Sequence, residues 1–114
     1  MSFDVVAGRS VDAYGSVGVT AQTVLRGDAF AVTVLHVAAG GEVGNHPAPM
    51  DQLMMITAGR GAVRTGGAGW EDVSSGQAVL WRAGEEHTTR AVEEITAVVI
   101  EVPAAPLVRS QRHD

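Results

Sequence analysis

The side chains able to do chemistry in this chain are few in kind. Its 114 residues contain no cysteine and no lysine; all eight basic residues are arginine. That removes thiol nucleophiles, thiolate metal sites, disulfides, Schiff-base lysines and P-loops. Imidazole, carboxylate, carboxamide, hydroxyl or a borrowed metal must do whatever chemistry there is. Of the four histidines, His113 sits in a polar terminal segment and reads as solvated. His36 falls in an apolar run, on the face of Phe30, Val32 and Val34, and reads as a packed, hydrogen-bonded side chain. His46 and His87 differ. His46 follows Gly40-Gly41-Glu42-Val43-Gly44-Asn45, read as a turn, and precedes Pro47 and Pro49. His87 follows Gly84-Glu85-Glu86 and opens a strand. Both are expected where a loop meets a strand, the place where rigid scaffolds present functional groups. Gln52 opens the strand after His46.

Other candidates carry less. Glu85 and Glu86 adjoin His87 and could supply a general base, but two acids on a solvated turn is the simpler reading. Asp51, if the strand begins there, points to the face opposite Gln52. Trp81 is expected in the core more than in a pocket. Met50, Met54 and Met55 read as flexible packing around a cavity mouth. Gly66 to Gly69 joins two strands with no helix after it, so it reads as a hairpin tip and not a phosphate loop. No Gly-x-Ser-x-Gly elbow supports a serine hydrolase.

These residues need strands to position them. Eighteen valines against five leucines, with 14 glycines, favour strand over helix. Residues 17–25 alternate, with Val17, Val19, Ala21, Thr23 and Leu25 on one face. Residues 29–37 are apolar on nearly both faces, which suits a strand covered on both sides. Further strand-like runs occupy 52–57, 61–65, 70–73, 77–82, 87–92 and 95–102, separated by glycine-rich turns. This pattern predicts one all-β domain over 1–114, a sandwich, barrel or jelly roll, with 103–114 as an extended or frayed C-terminal tail. The net charge of −5 argues against a nucleic-acid partner. No apolar stretch reaches membrane-spanning length, and Met1-Ser2-Phe3-Asp4 does not read as a signal peptide. The cysteine-free composition fits a cytoplasmic protein.

The spacing of these residues resembles the cupin superfamily, which is defined by two motifs. In the first, G-x5-H-x-H-x3/4-E-x6-G, Gly40, His46 and Gly59 stand in register, with Ala48 at the second histidine and Gln52 at the glutamate. In the second, G-x5-P-x-G-x2-H-x3-N, Gly76, Gly84 and His87 match, while Arg82 replaces proline and Ala91 replaces asparagine. The stretches SGQAVLWRAGEEH and ITAVVIEV look like small bacterial cupins in which Gln stands for Glu. The resemblance covers about residues 29–102.

It implies a cupin-type jelly-roll β-barrel, expected to form a homodimer, an expectation the doubly apolar 29–37 strand shares. It also implies a divalent transition metal (Fe, Ni, Cu, Zn or Mn) held inside the barrel by His46, Gln52 and His87. Strand alternation would place Met54, Ile56 and Thr89 beside them, with Trp81 as a further pocket residue. Two imidazoles and an amide oxygen are a depleted ligand set that leaves positions open. The expected function is a small metal-dependent enzyme acting on a small organic metabolite, by oxygenase (dioxygenase), isomerase or cyclase chemistry. The alternative is a non-catalytic small-ligand-binding or sensing cupin that has lost its metal, which Ala48 and Gln52 favour. No DNA-binding helical region accompanies the barrel, so a self-contained transcription factor is not expected.

Overall fold

The computed structural model describes residues 1, 2, 4 and 7–105. Among these, nine strands and one 3-10 turn form the fold: β1 (Arg9–Val11), the turn Ala13–Gly15, β2 (Val17–Arg26), β3 (Ala31–Pro47), β4 (Asp51–Ala58), β5 (Arg60–Thr65), β6 (Glu71–Ser74), β7 (Ala78–Trp81), β8 (Glu86–Ala91) and β9 (Ile95–Val102). His113 and the rest of 106–114 lie outside the described residues. No described helix is long and apolar enough to cross a membrane.

All pairings are antiparallel, and the strands follow the order β6-β5-β8-β3-β9-β4-β7, with β2 and then β1 added on β3. This is the nearly closed barrel of a jelly roll. β3 holds it together by serving two neighbourhoods. Its first half, Ala31 to Val37, lies between β2 and β9; its second half, Glu42 to Pro47, pairs with β8. The segment 40–45 is therefore not a turn. It is strand that changes direction at Gly40, whose φ of +79° suits glycine. His46 accordingly follows strand rather than a turn, and stands at the C-terminal end of β3, one residue before the loop at 48–50.

A β-bulge decides which way His46 points. Val43 pairs with Thr89, but the next pair is His46 with His87. Three steps on β3 thus match two on β8, and the extra residue shifts the alternation of β3 by one. Val43 and His46, of opposite parity, both line the interior.

The core is built from the inward parity of several strands. Val37, Ile56, Val63, Trp81 and Ile95 are its largest fully buried side chains. Ala48, where the family's second histidine belongs, is buried in this cluster and exchanges backbone hydrogen bonds with the Gly84-Glu85 turn. Trp81 combines the two roles weighed for it: it is buried, and it also forms part of the cavity wall.

Asp51 is a structural hub on the outward parity of β4. Its carboxylate accepts hydrogen bonds from the Ala83 and Ala105 amides, both at 2.8 Å, and pairs with Arg82 Nη1 at 2.5 Å. These contacts explain Arg82 in place of proline and tie the start of the tail, up to Ala105, to β4. The Ala83 amide and then Arg82 hold the Asp51 pKa below the usual carboxylate value. Asp51→Ala is expected to lower the urea midpoint of unfolding, because it leaves the Ala83 and Ala105 amides without their acceptor. Arg82 is 42% exposed, so solvent screens its charge and most of the loss comes from the two orphaned amides. An unchanged urea midpoint would remove Asp51 from this role.

Candidate functional site

The barrel encloses a cavity of about 200 Å³, with His46, Gln52 and His87 in its wall. Three strands deliver them. The bulged end of β3 brings His46, β8 brings His87 directly opposite, and the inward parity of β4 brings Gln52. The imidazole centroids of His46 and His87 are 4.4 Å apart, with the rings tilted by 55°. Trp81 stacks on the far side of His87 at 3.9 Å, and its indole N–H donates to Thr65 Oγ1 at 2.8 Å. Tyr14, from the 3-10 turn, stacks on His46 at 5.2 Å.

Each of the three side chains is held by one atom, which leaves another free to act. His46 Nδ1 lies 2.7 Å from the Gly44 carbonyl, and His87 Nδ1 lies 3.1 Å from the Glu85 carbonyl. A carbonyl only accepts, so Nδ1 carries the hydrogen and Nε2 of the neutral ring carries the lone pair. Gln52 Nε2 donates to Glu101 Oε2 at 2.8 Å, which leaves the amide oxygen as the acceptor. Burial pushes the His87 pKa down to about 4, with the neighbouring His46 adding to that effect. His87 is therefore neutral at physiological pH.

Met54 and Thr89 line the cavity beside these residues, whereas Ile56 is packed in the core and does not reach the cavity wall. Glu85 and Glu86 lie outside it. Glu85 Oε1 accepts from the Arg82 amide, and Glu86 Oε1 accepts from Asn45. His36 is buried on another part of β3, with Nε2 3.1 Å from Glu94 Oε2.

The cavity also holds residues that sequence reasoning missed. Glu101 is one. The signal for it was parity: it is the only charged residue in the β9 run and shares the inward alternation of Ile95, Ala97 and Val99. Arg9, in the cavity wall, and Tyr14, stacked on His46, gave no such signal, because β1 and the turn after it are too short to show a period and precede the family-like stretch.

A donor set of two imidazole Nε2 atoms and one carboxamide oxygen, each fixed by a hydrogen bond at its other atom, fits a divalent transition metal. It is a thin set. Among the described residues no group of three or more histidines, cysteines, aspartates or glutamates is arranged to hold a metal ion.

The fold and cavity define the class of protein: a jelly-roll barrel with a histidine pair inside. Residues 33–103 match the family described as the cupin domain, and the chain belongs to that family. No curated protein sequence matches it. Among solved structures, it is similar to a cupin-like protein from Thermotoga maritima, at 18% identity and a TM-score of 0.78, covering 91% of this chain and 84% of that one. It is also similar to KdgF from Halomonas sp., at 18% identity and a TM-score of 0.69, covering 77% and 82%. A third likeness is to the DMSP lyase DddQ from Ruegeria pomeroyi, at 18% identity and a TM-score of 0.71, covering 94% of this chain but 57% of that one. At these identities the likeness is one of fold.

Proposed function

We propose that this cupin is a small-molecule enzyme whose cavity holds a divalent transition metal (Fe, Ni, Cu, Zn or Mn) on His46, His87 and Gln52. The observation that carries the reading is the pinning of all three side chains, which leaves His46 Nε2, His87 Nε2 and Gln52 Oε1 as lone-pair atoms of the cavity wall. A bound metal would supply Lewis-acid polarisation of a substrate oxygen. The protein does the rest. Trp81 and Tyr14 hold the two rings in place by stacking. Apolar side chains such as Leu35, Met54 and Val99 exclude water from the substrate body. Glu101, the only carboxylate lining the cavity among the described residues, can accept a substrate proton. The volume suits a metabolite smaller than a drug-sized ligand, and the reaction class is of the isomerase, cyclase or oxygenase kind.

A second reading has its own support: Ala48 contributes only a buried methyl where the family places a histidine. In that reading the chain is a metal-free cupin that binds or senses a small ligand. Exposed Val17, Leu25 and Phe30 along and just after β2 support a homodimer under either reading. A cytoplasmic location rests on the cysteine-free composition.

Elemental analysis after anaerobic reloading with each metal separates the two readings. Wild type is expected to retain about one equivalent of a preferred metal, and the His46→Ala and His87→Ala variants to lose it. Metal at about 100 times its Kd should stabilise the wild type by about 2.7 kcal/mol in a thermal-shift measurement. Folded wild type that retains no metal under any of these conditions leaves only the metal-free reading.

A further inference from the structure

Two groups of opposite charge line the cavity without meeting each other. Arg9 comes from β1 and Glu101 from β9. Arg60, Arg82 and Arg90 each have a carboxylate within 3.4 Å, but Arg9 has none among the described residues. Glu101 receives the Gln52 amide and, among the described residues, no cation. In the sheet, β1 and β9 are separated by β2 and β3, three inter-strand steps or about 14 Å, and Glu101 lies a further four residues, about 13 Å, along β9 from Ala97, which shares the row of Arg9, Ala21 and Leu35. Between the two charges the wall is largely aliphatic, including Val11, Ala21, Leu35 and Val99. Opposite charges left apart at the two ends of an apolar wall form a template for a ligand with complementary ends.

Resting on the reading of this cavity as a small-molecule site, we propose that its ligand is a small organic carboxylate with a hydrogen-bond donor, hydroxyl or ammonium, at its other end. The carboxylate pairs with Arg9 and the donor with Glu101. A guanidinium presents two parallel N–H groups to a carboxylate, so it selects an acid over the isosteric amide. Glu101 accepts from either donor, and its charge favours ammonium over hydroxyl. Arg9 precedes the family match at 33–103, so this selectivity comes from a segment that the match does not include.

Isothermal titration of chelator-treated, metal-free protein tests the inference separately from the metal. The probes are 4-hydroxybutyrate, 4-aminobutyrate, butyrate and 4-hydroxybutyramide. 4-Hydroxybutyrate is expected to bind at least tenfold tighter than its amide and more tightly than butyrate. Arg9→Gln, a change at an exposed position, should remove that tenfold preference and leave the affinity for the amide unchanged. Glu101→Gln should weaken both donor-bearing acids, and 4-aminobutyrate more than 4-hydroxybutyrate because it removes the charge that favours ammonium; no weakening of either overturns the proposal. Equal binding of acid and amide, no effect of Arg9→Gln, or no binding of either donor-bearing acid overturns the proposal. A wild type that binds no metal but shows these preferences overturns the metal reading alone.

Discussion

Gly59→Ala is expected to destabilise the protein by about 2–5 kcal/mol, a large part of what a domain of this size has. Two costs combine. Gly59 has a φ of +87°, in the left-handed region, where a side chain costs about 1–2 kcal/mol. In addition, a Cβ there would stand 1.9 Å from the Glu94 carbonyl oxygen and 3.0 Å from Ile95 Cα. Both neighbours are backbone, so neither can rotate away. Relief requires moving the start of β9 off the β4–β5 turn, and overpacking of this kind adds about 1–3 kcal/mol or more. Gly76 is the control. Its φ is +93°, yet an added Cβ meets nothing within 4 Å. Gly76→Ala should therefore show the conformational cost alone, about 1–2 kcal/mol. Chemical denaturation of both variants isolates the clash; equal losses at the two positions would refute it. The same geometry gives a physical reason for the glycine that closes the first cupin motif: β9 needs the space.

Acidification from pH 6.5 to pH 4 is expected to remove about 3 kcal/mol of stability through His87 alone. The folded-state pKa is about 4 against an ordinary value of 6.5. Between those values the unfolded chain binds a proton that the folded chain refuses. Stability therefore falls as pH drops through this window, and the contribution levels off about one unit below the folded pKa. The cause is desolvation: His87 is 2% exposed, between Trp81 and His46. Asp51, held below 3.8, loses its contribution only at lower pH, so the two windows separate. Urea midpoints of metal-free protein across pH 4–7 check the prediction. His87→Gln, which can still donate to the Glu85 carbonyl, should lack this segment of the curve. Parallel curves for wild type and variant would show that His87 titrates normally.

Much of the barrel was legible in the chain because strand alternation and turn chemistry are local. The run from Gln52 to Val102 contains the strands expected of it, within one or two residues at the ends. Gly66 to Gly69 is the hairpin tip between β5 and β6, with Gly66 at a φ of +57°. His87, Thr89, Gln52 and Met54 line the cavity, in keeping with simple alternation from His87 and Gln52. Legibility failed where a contact from elsewhere overrides the local pattern. Gly40 to Asn45 has the composition of a turn, yet β8 pairs with it and makes it strand. A Cβ on Gly44 would stand within bonding distance of the Tyr14 carbonyl, so this glycine serves the packing of the 3-10 turn rather than a chain reversal. Ile56 has the parity of Met54 but lies farther along β4, in the filled part of the barrel.

The chain alone determined the alphabet of its chemistry: no thiol, no lysine, two histidines in cupin register, and strands short enough to close on themselves. The tertiary structure decided what those residues face. One extra residue in β3 turns His46 inward against His87. A carboxylate on the same parity as the β9 core becomes the partner of Gln52. An arginine from β1 reaches the same cavity, and a tyrosine from the turn after it stacks on His46. The physical reason is that alternation specifies two faces of a strand but not which one is covered, and a bulge exchanges them. Only the partner strand and the packing above it, distant in sequence, make that choice.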